Sequence, residues 1–143
     1  MPNDITKTII VKRSVPEVYH LWANFTNFPQ FMENIKEVRL TGPKTSHWVM
    51  EGPAGTKFEW DAETTRMEEN QRIAWNSKRD SRIITSGQVT FKSLSHNETE
   101  IALTMRYEPP AGKLGDAVAK LFAHPEARVE EDLRHFKEFA EER

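Results

Sequence analysis

The chain has 143 residues, a length that suits one domain, 1–143, built on one core. Lys and Arg number 20 against 22 Asp and Glu, so the net charge is −2 and the basic footprint of a nucleic-acid binder is missing. Cysteine is absent, which excludes disulfide and thiolate chemistry; with no bilayer-length apolar run and no signal-peptide pattern, a cytoplasmic protein without a transmembrane segment is expected.

Ile5 to Lys12 carries β-branched residues in a roughly alternating row and predicts a first strand. Ser14-Val15-Pro16-Glu17 is a helix start: Ser14 caps, Pro16 sits where a missing donor is harmless, and Glu17 is placed to reach back. A short helix follows through Val18, Tyr19, Leu21 and Trp22. Phe25, Phe28 and Phe31 are three apart around Pro29, so a second short helix is predicted over Asn27 to Met32.

Six strands come next, over 35–41, 45–51, 56–67, 72–78, 83–94 and 99–107, with turns such as Gly42-Pro43, Gly52-Pro53-Ala54-Gly55 and Ser95-His96-Asn97 between them. The third alternates cleanly, Phe58, Trp60 and Ala62 against Lys57, Glu59, Asp61 and Glu63, as a sheet wet on one side requires. Gly87 marks a bulge or a tight bend. Short connections predict an antiparallel meander. Its inward set is Trp48, Met50, Phe58, Trp60, Trp75, Val89, Phe91, Leu103, Met105 and Tyr107.

Ala111 to Arg143 reads as one long helix. Leu114, Val118, Leu121, Phe122, Val129, Leu133, Phe136 and Ala140 recur at spacings of three and four, and Phe139 widens that stripe near its end. Pro125 predicts a kink. A bent helix laid on a concave sheet encloses a cavity.

Taken together the fold class is α+β: a curved antiparallel sheet of about seven strands gripping a long C-terminal helix, with two short helices after the first strand. That order resembles the helix-grip fold of the START, or birch-pollen-allergen-like, superfamily, and within it the bacterial polyketide cyclase/dehydrase and coenzyme-Q-binding branch. The resemblance is carried by Val15-Pro16-Glu17-Val18-Tyr19, Trp22-Ala23-Asn24-Phe25, Phe28-Pro29-Gln30-Phe31-Met32, Ser46-His47-Trp48, Phe58-Glu59-Trp60-Asp61-Ala62, Arg72-Ile73-Ala74-Trp75, Gly87-Gln88-Val89-Thr90-Phe91 and Tyr107-Glu108-Pro109-Pro110. These are mostly packing and turn residues. The resemblance therefore implies a fold and a range of roles, from lipid or quinone carrier to aromatase, and no catalytic residue to carry over.

The residues themselves point to no catalytic group, metal site or cofactor. His20, His47, His96, His124 and His135 have no metal-ligand spacing, and His47 falls on an outer strand face. Asp61 and Glu63 share their face with Lys57 and Glu59, which is a solvated surface. Gly52-Pro53-Ala54-Gly55 lacks the Lys and helix of a phosphate loop. The aromatic inward set is the candidate site: Trp48, Met50, Phe58, Trp60, Trp75, Ser77, Val89, Phe91, Met105 and Tyr107 from the sheet, with Leu121 and Phe122 from the helix. Its inner face carries no ionisable group, and the buried indole donors look to the hydroxyls of Tyr107 and Ser77. The expected partner is a small hydrophobic molecule. The alternatives are an aromatase/cyclase or dehydratase, with Tyr107 or Ser77 polarising a carbonyl and Arg82 or Arg106 at a rim, and an interaction module on the charged face of Arg128 to Arg143.

Overall fold

The computed structural model describes residues 4–51, 55, 57–78, 84–108 and 125–142. In chain order these form β1 (Asp4–Val11), α1 (Val15–Ala23), a 3-10 helix (Phe25–Gln30), β2 (Ile35–Leu40), β3 (Thr45–Glu51), β4 (Lys57–Glu68), β5 (Arg72–Ser77), β6 (Ile84–Ser95), β7 (Glu98–Glu108) and α2 (Pro125–Glu141). The seven strands make one curved antiparallel sheet in the order β1-β7-β6-β5-β4-β3-β2. The predicted meander of six is thus closed by β1, which returns to pair with β7 from Asp4↔Arg106 to Val11↔Thr99.

Local chemistry sets the element starts. The Glu17 carboxylate accepts from the Ser14 backbone N–H at 3.3 Å and from the Ser14 hydroxyl at 2.8 Å, the reach-back expected of this motif. The second helix is a 3-10 turn two residues earlier than predicted, because Asn24 ends α1 and Pro29 permits only short tight turns. Gly87 marks no bulge. It stands in register between Trp75 and Met105, and the register shifts lie at Ile35/Glu37, Thr64/Arg66 and Ser93/Ser95. A glycine is needed there because a Cβ would come within 2.4 Å of Cζ2 of the Trp75 indole.

The core lies on the inner sheet face. Trp22, Phe28, Phe31, Ile73, Ile101, Leu103, Leu133 and Phe136 are almost wholly buried. Phe31 and Trp22 touch Phe136 at centroid distances of 5.0 and 4.8 Å, and Phe28 meets Trp48 at 5.1 Å, so the two short helices bridge α2 to the sheet. Phe139 is buried against Phe31, the widened stripe expected near the helix end. Helix α2 is described from Pro125 to Glu141. The expectation of a helix from Ala111, with its kink at Pro125, and of Leu114 and Val118 on the sheet, rests on positions outside the described residues.

Polar residues of α2 fasten it to β1. Lys137 Nζ donates to the Ile10 carbonyl at 3.0 Å, Lys12 N–H donates to Glu141 at 2.8 Å, and Lys7 pairs with Glu130 at 3.1 Å. These contacts occupy main-chain groups of an edge strand and so shield that edge from other chains.

Candidate functional site: an apolar chamber with one polar end

Alternation aims three indoles at one place. Trp48 of β3 stands in register with Trp60 of β4, and their rings stack at 5.8 Å with 17° between planes. Trp75 of β5 lies beside them over Gly87, where the glycine leaves room for it. With Met50 and Met105 they wall a chamber of about 40 Å3 against α2. Met32, Asn34, Ile35 and Thr85 also line it. One water needs about 10–15 Å3 on this measure, so the chamber as it stands has room for a few waters. A guest of one or more rings has to part the walls.

Helix α2 supplies the polar end. Arg128 and Asp132, four residues apart and therefore on one face, both line the chamber. This corrects the expectation of an inner face without ionisable groups. Burial pushes the Asp132 carboxyl up to about 7; Arg128 opposes that shift, and the negative charges of Glu131 and Glu33 reinforce it. Among the described residues Asp132 has no hydrogen-bond partner, and the Nε of Arg128 is buried without one. Outside the chamber lies a more polar hollow of about 170 Å3, lined by Glu33, Ala127, Arg128, Glu131 and Asp132. Arg128 and Asp132 therefore stand between the two spaces.

Of the residues singled out from sequence, Trp48, Met50, Trp60, Trp75 and Met105 line the chamber. Phe58, Val89 and Phe91 are buried on the same sheet face but do not line the chamber. Ser77 is half-buried, and its Oγ accepts the Thr85 backbone N–H at 3.1 Å. The Trp48 indole donates to Ser46 Oγ at 2.8 Å, a partner two residues back on its own strand, so neither Ser77 nor Tyr107 is its acceptor. The Tyr107 side chain, Leu121, Phe122 and Arg82 fall outside the described residues. Arg106 does not reach the chamber. It lies on the outer face, where its guanidinium binds both oxygens of Asp4 at 2.6 and 3.1 Å.

Sequence reasoning missed Arg128, Asp132, Thr85, Met32, Asn34 and Ile35. The signal for the first two was the four-residue spacing beside the apolar stripe; Thr85 shares the parity of Gly87, Val89 and Phe91. His47 is on the outer face as expected, but it is not partnerless. Its Nδ1 meets Asp61 at 2.9 Å and its Nε2 meets Glu59 at 2.8 Å, and these hydrogen bonds raise its pKa. Side-chain geometry among the described residues offers no cluster fit to hold a metal ion. No helix among them is long and apolar enough to cross a membrane.

A curved sheet gripping a terminal helix over an apolar chamber defines the helix-grip class of ligand-handling domain. The sequence profile of the family described as polyketide cyclase / dehydrase and lipid transport matches residues 11–134, and the chain belongs to that family. It is 30% identical over 143 residues to an uncharacterized 17.2 kDa protein of Streptomyces lincolnensis, covering 99% of this chain and 91% of that one. A Deinococcus radiodurans crystal structure superposes with a TM-score of 0.76 at 26% identity, covering 96% and 97% of the two chains. The ZhuI aromatase/cyclase of a Streptomyces species gives 0.75 at 18% identity over 96% and 93%, and a START superfamily protein of Mycobacterium smegmatis gives 0.65 at 20% over 89% and 97%. At those identities the last two speak for the fold.

Proposed function

We propose that the protein binds a small hydrophobic molecule, lipid-, quinone- or polyketide-like, between the sheet and the C-terminal helix. The observation that carries this reading is the convergence of Trp48, Trp60, Trp75, Met50 and Met105 on one chamber. Flat indole faces and flexible thioethers suit an apolar guest of irregular outline. Affinity would come from apolar area removed from water, at about 25 cal/mol per Å2 before the costs of association and of opening the walls. Phe58, Val89 and Phe91 form the layer that holds the lining residues in place, with Ser77, Tyr107, Leu121 and Phe122 the further candidates for contact.

The test is native mass spectrometry of the purified protein, joined to tryptophan-fluorescence titration with short-chain ubiquinone analogues and fatty acids. A co-purified small-molecule mass, or a saturable change in indole emission, is expected. Absence of both overturns the reading.

One observation favours a second reading, an aromatase/cyclase or dehydratase acting on a polyketide-like substrate. The Asp132 carboxyl is held near neutrality at the chamber wall, the range in which a carboxyl exchanges protons readily with a substrate. The family description and the ZhuI name agree with it. An interaction module gains no such support, since Glu130, Lys137 and Glu141 of the charged helix face are engaged with β1.

A further inference from the structure

The polar end of the chamber is electrically lopsided. Among the described residues that line the chamber and the hollow outside it, Arg128 is the one cation, and it faces the carboxyls of Glu33, Glu131 and Asp132. The strands that form the other walls bring only uncharged groups, the three indoles, the thioethers of Met50 and Met105 and the Thr85 hydroxyl. We propose that this end selects a guest with a neutral oxygen head, such as a ketone, a quinone carbonyl or a phenol, and rejects a carboxylate of the same shape. The inference rests on the reading of the chamber as the binding site and deepens it.

Two features of the geometry support it. Among the described residues the Arg128 Nε is buried and has no acceptor, so a carbonyl oxygen arriving there would satisfy a group that is otherwise left costly. Asp132, which lines the same end, serves a neutral head in either state: protonated it donates to a carbonyl, ionised it accepts from a phenol. A guest carboxylate is treated differently. It would enter the place where Asp132 already reports the local field. That carboxyl keeps its proton to about 7 because burial strips its water and because Glu131 and Glu33 lie nearby, and the single Arg128 does not offset them. An incoming anion meets the same dehydration and the same two negative charges, with Asp132 itself adding a third when ionised.

The experiment compares 2-acetylnaphthalene with 2-naphthoate, two probes of nearly equal size that differ in carrying a ketone or an ionised carboxylate. Calorimetric titration of the full chain at pH 7.5 gives both affinities. The ketone is expected to bind at least ~10-fold more tightly, about 1.4 kcal/mol. In a Glu33→Gln/Glu131→Gln variant, whose melting temperature confirms the fold, naphthoate should gain several-fold while the ketone stays within about twofold. Equal affinities in the wild type, or a tighter naphthoate, overturn the selectivity and leave the chamber reading standing. An unchanged ratio in the double variant overturns the role given to the two glutamates. Failure of both probes to bind overturns the inference together with the site.

Discussion

Gly87→Ala should destabilise the fold, and the reason is a neighbour on the next strand. The added Cβ would lie 2.4 Å from Trp75 Cζ2, 2.7 Å from Cε2 and 2.9 Å from Met105 Sδ. The methionine sulfur can yield at little cost, because the side chain has free torsions. The indole cannot: Trp75 is 3% exposed and is held by Phe25 at 5.8 Å and Phe28 at 6.1 Å. Overpacking of a filled core costs about 1–3 kcal/mol. Against this, alanine loses about 0.4–1 kcal/mol less unfolded-chain entropy than glycine. The net expectation is a loss of roughly 1–2 kcal/mol, or about 3–8 °C in melting temperature for a domain of this size. Thermal melts followed by circular dichroism measure it. A double-mutant cycle with Trp75→Phe assigns the cause, since the smaller ring should make the alanine nearly neutral. An alanine variant as stable as the parent, or a penalty unchanged in the Trp75→Phe background, refutes the reasoning.

Other outcomes follow from polar groups. Asp132 titrates near 7 in the folded chain against 3.8 when unfolded, so its proton stabilises the fold fully below 3.8 and that stabilisation is lost as pH rises towards 7. Asp132→Asn should therefore be more stable than the parent at pH 8, by at most roughly 4 kcal/mol, with the difference gone near pH 3.5 in denaturant titrations. His47 has its pKa raised above 6.5 by Asp61 and Glu59, so its ion pairs stabilise below 6.5 and fade as pH rises through the folded value. Imidazole proton shifts should show a His47 midpoint above 6.5 that falls back in Asp61→Asn. Thr99 is fully buried and its hydroxyl donates to the Arg13 carbonyl at 2.8 Å, so Thr99→Val should cost about 1–3 kcal/mol in chemical denaturation by stranding that carbonyl.

The architecture was legible because each element announces itself by period. Lys57 to Glu63 alternates wet and dry at every residue, and β4 buries Phe58, Trp60 and Ala62 in that order. Short connections left few topologies, and the meander is the one observed. What period cannot give is why a residue is small. Gly87 suggests a backbone feature in the sequence, whereas its backbone is regular and the cause is the Trp75 ring on β5, a contact about twelve residues away along the chain that only register reveals. The indole partner is hidden for the opposite reason: the acceptor of Trp48 is local, Ser46 on the same face, and not a hydroxyl across the sheet.

The polar end of the chamber was hidden by a rule that is right for most helices. A charged residue beside an apolar stripe normally turns to solvent, and on α2 Lys137, Glu130 and Glu141 do lie at the surface against β1. Arg128 and Asp132 differ because they line the chamber that Trp48, Trp60 and Trp75 wall from the sheet. The same spacing of four residues thus gives an ion pair on one flank and, on the other, a cation beside an acid whose pKa is raised to about 7. The difference is made by what each flank faces across the fold, the β1 edge for one and the chamber for the other, a tertiary fact with no trace in helical periodicity. It follows that a chain of this class is read for fold from its stripe, and for chemistry from the charged positions one step off the stripe, tested against what they face.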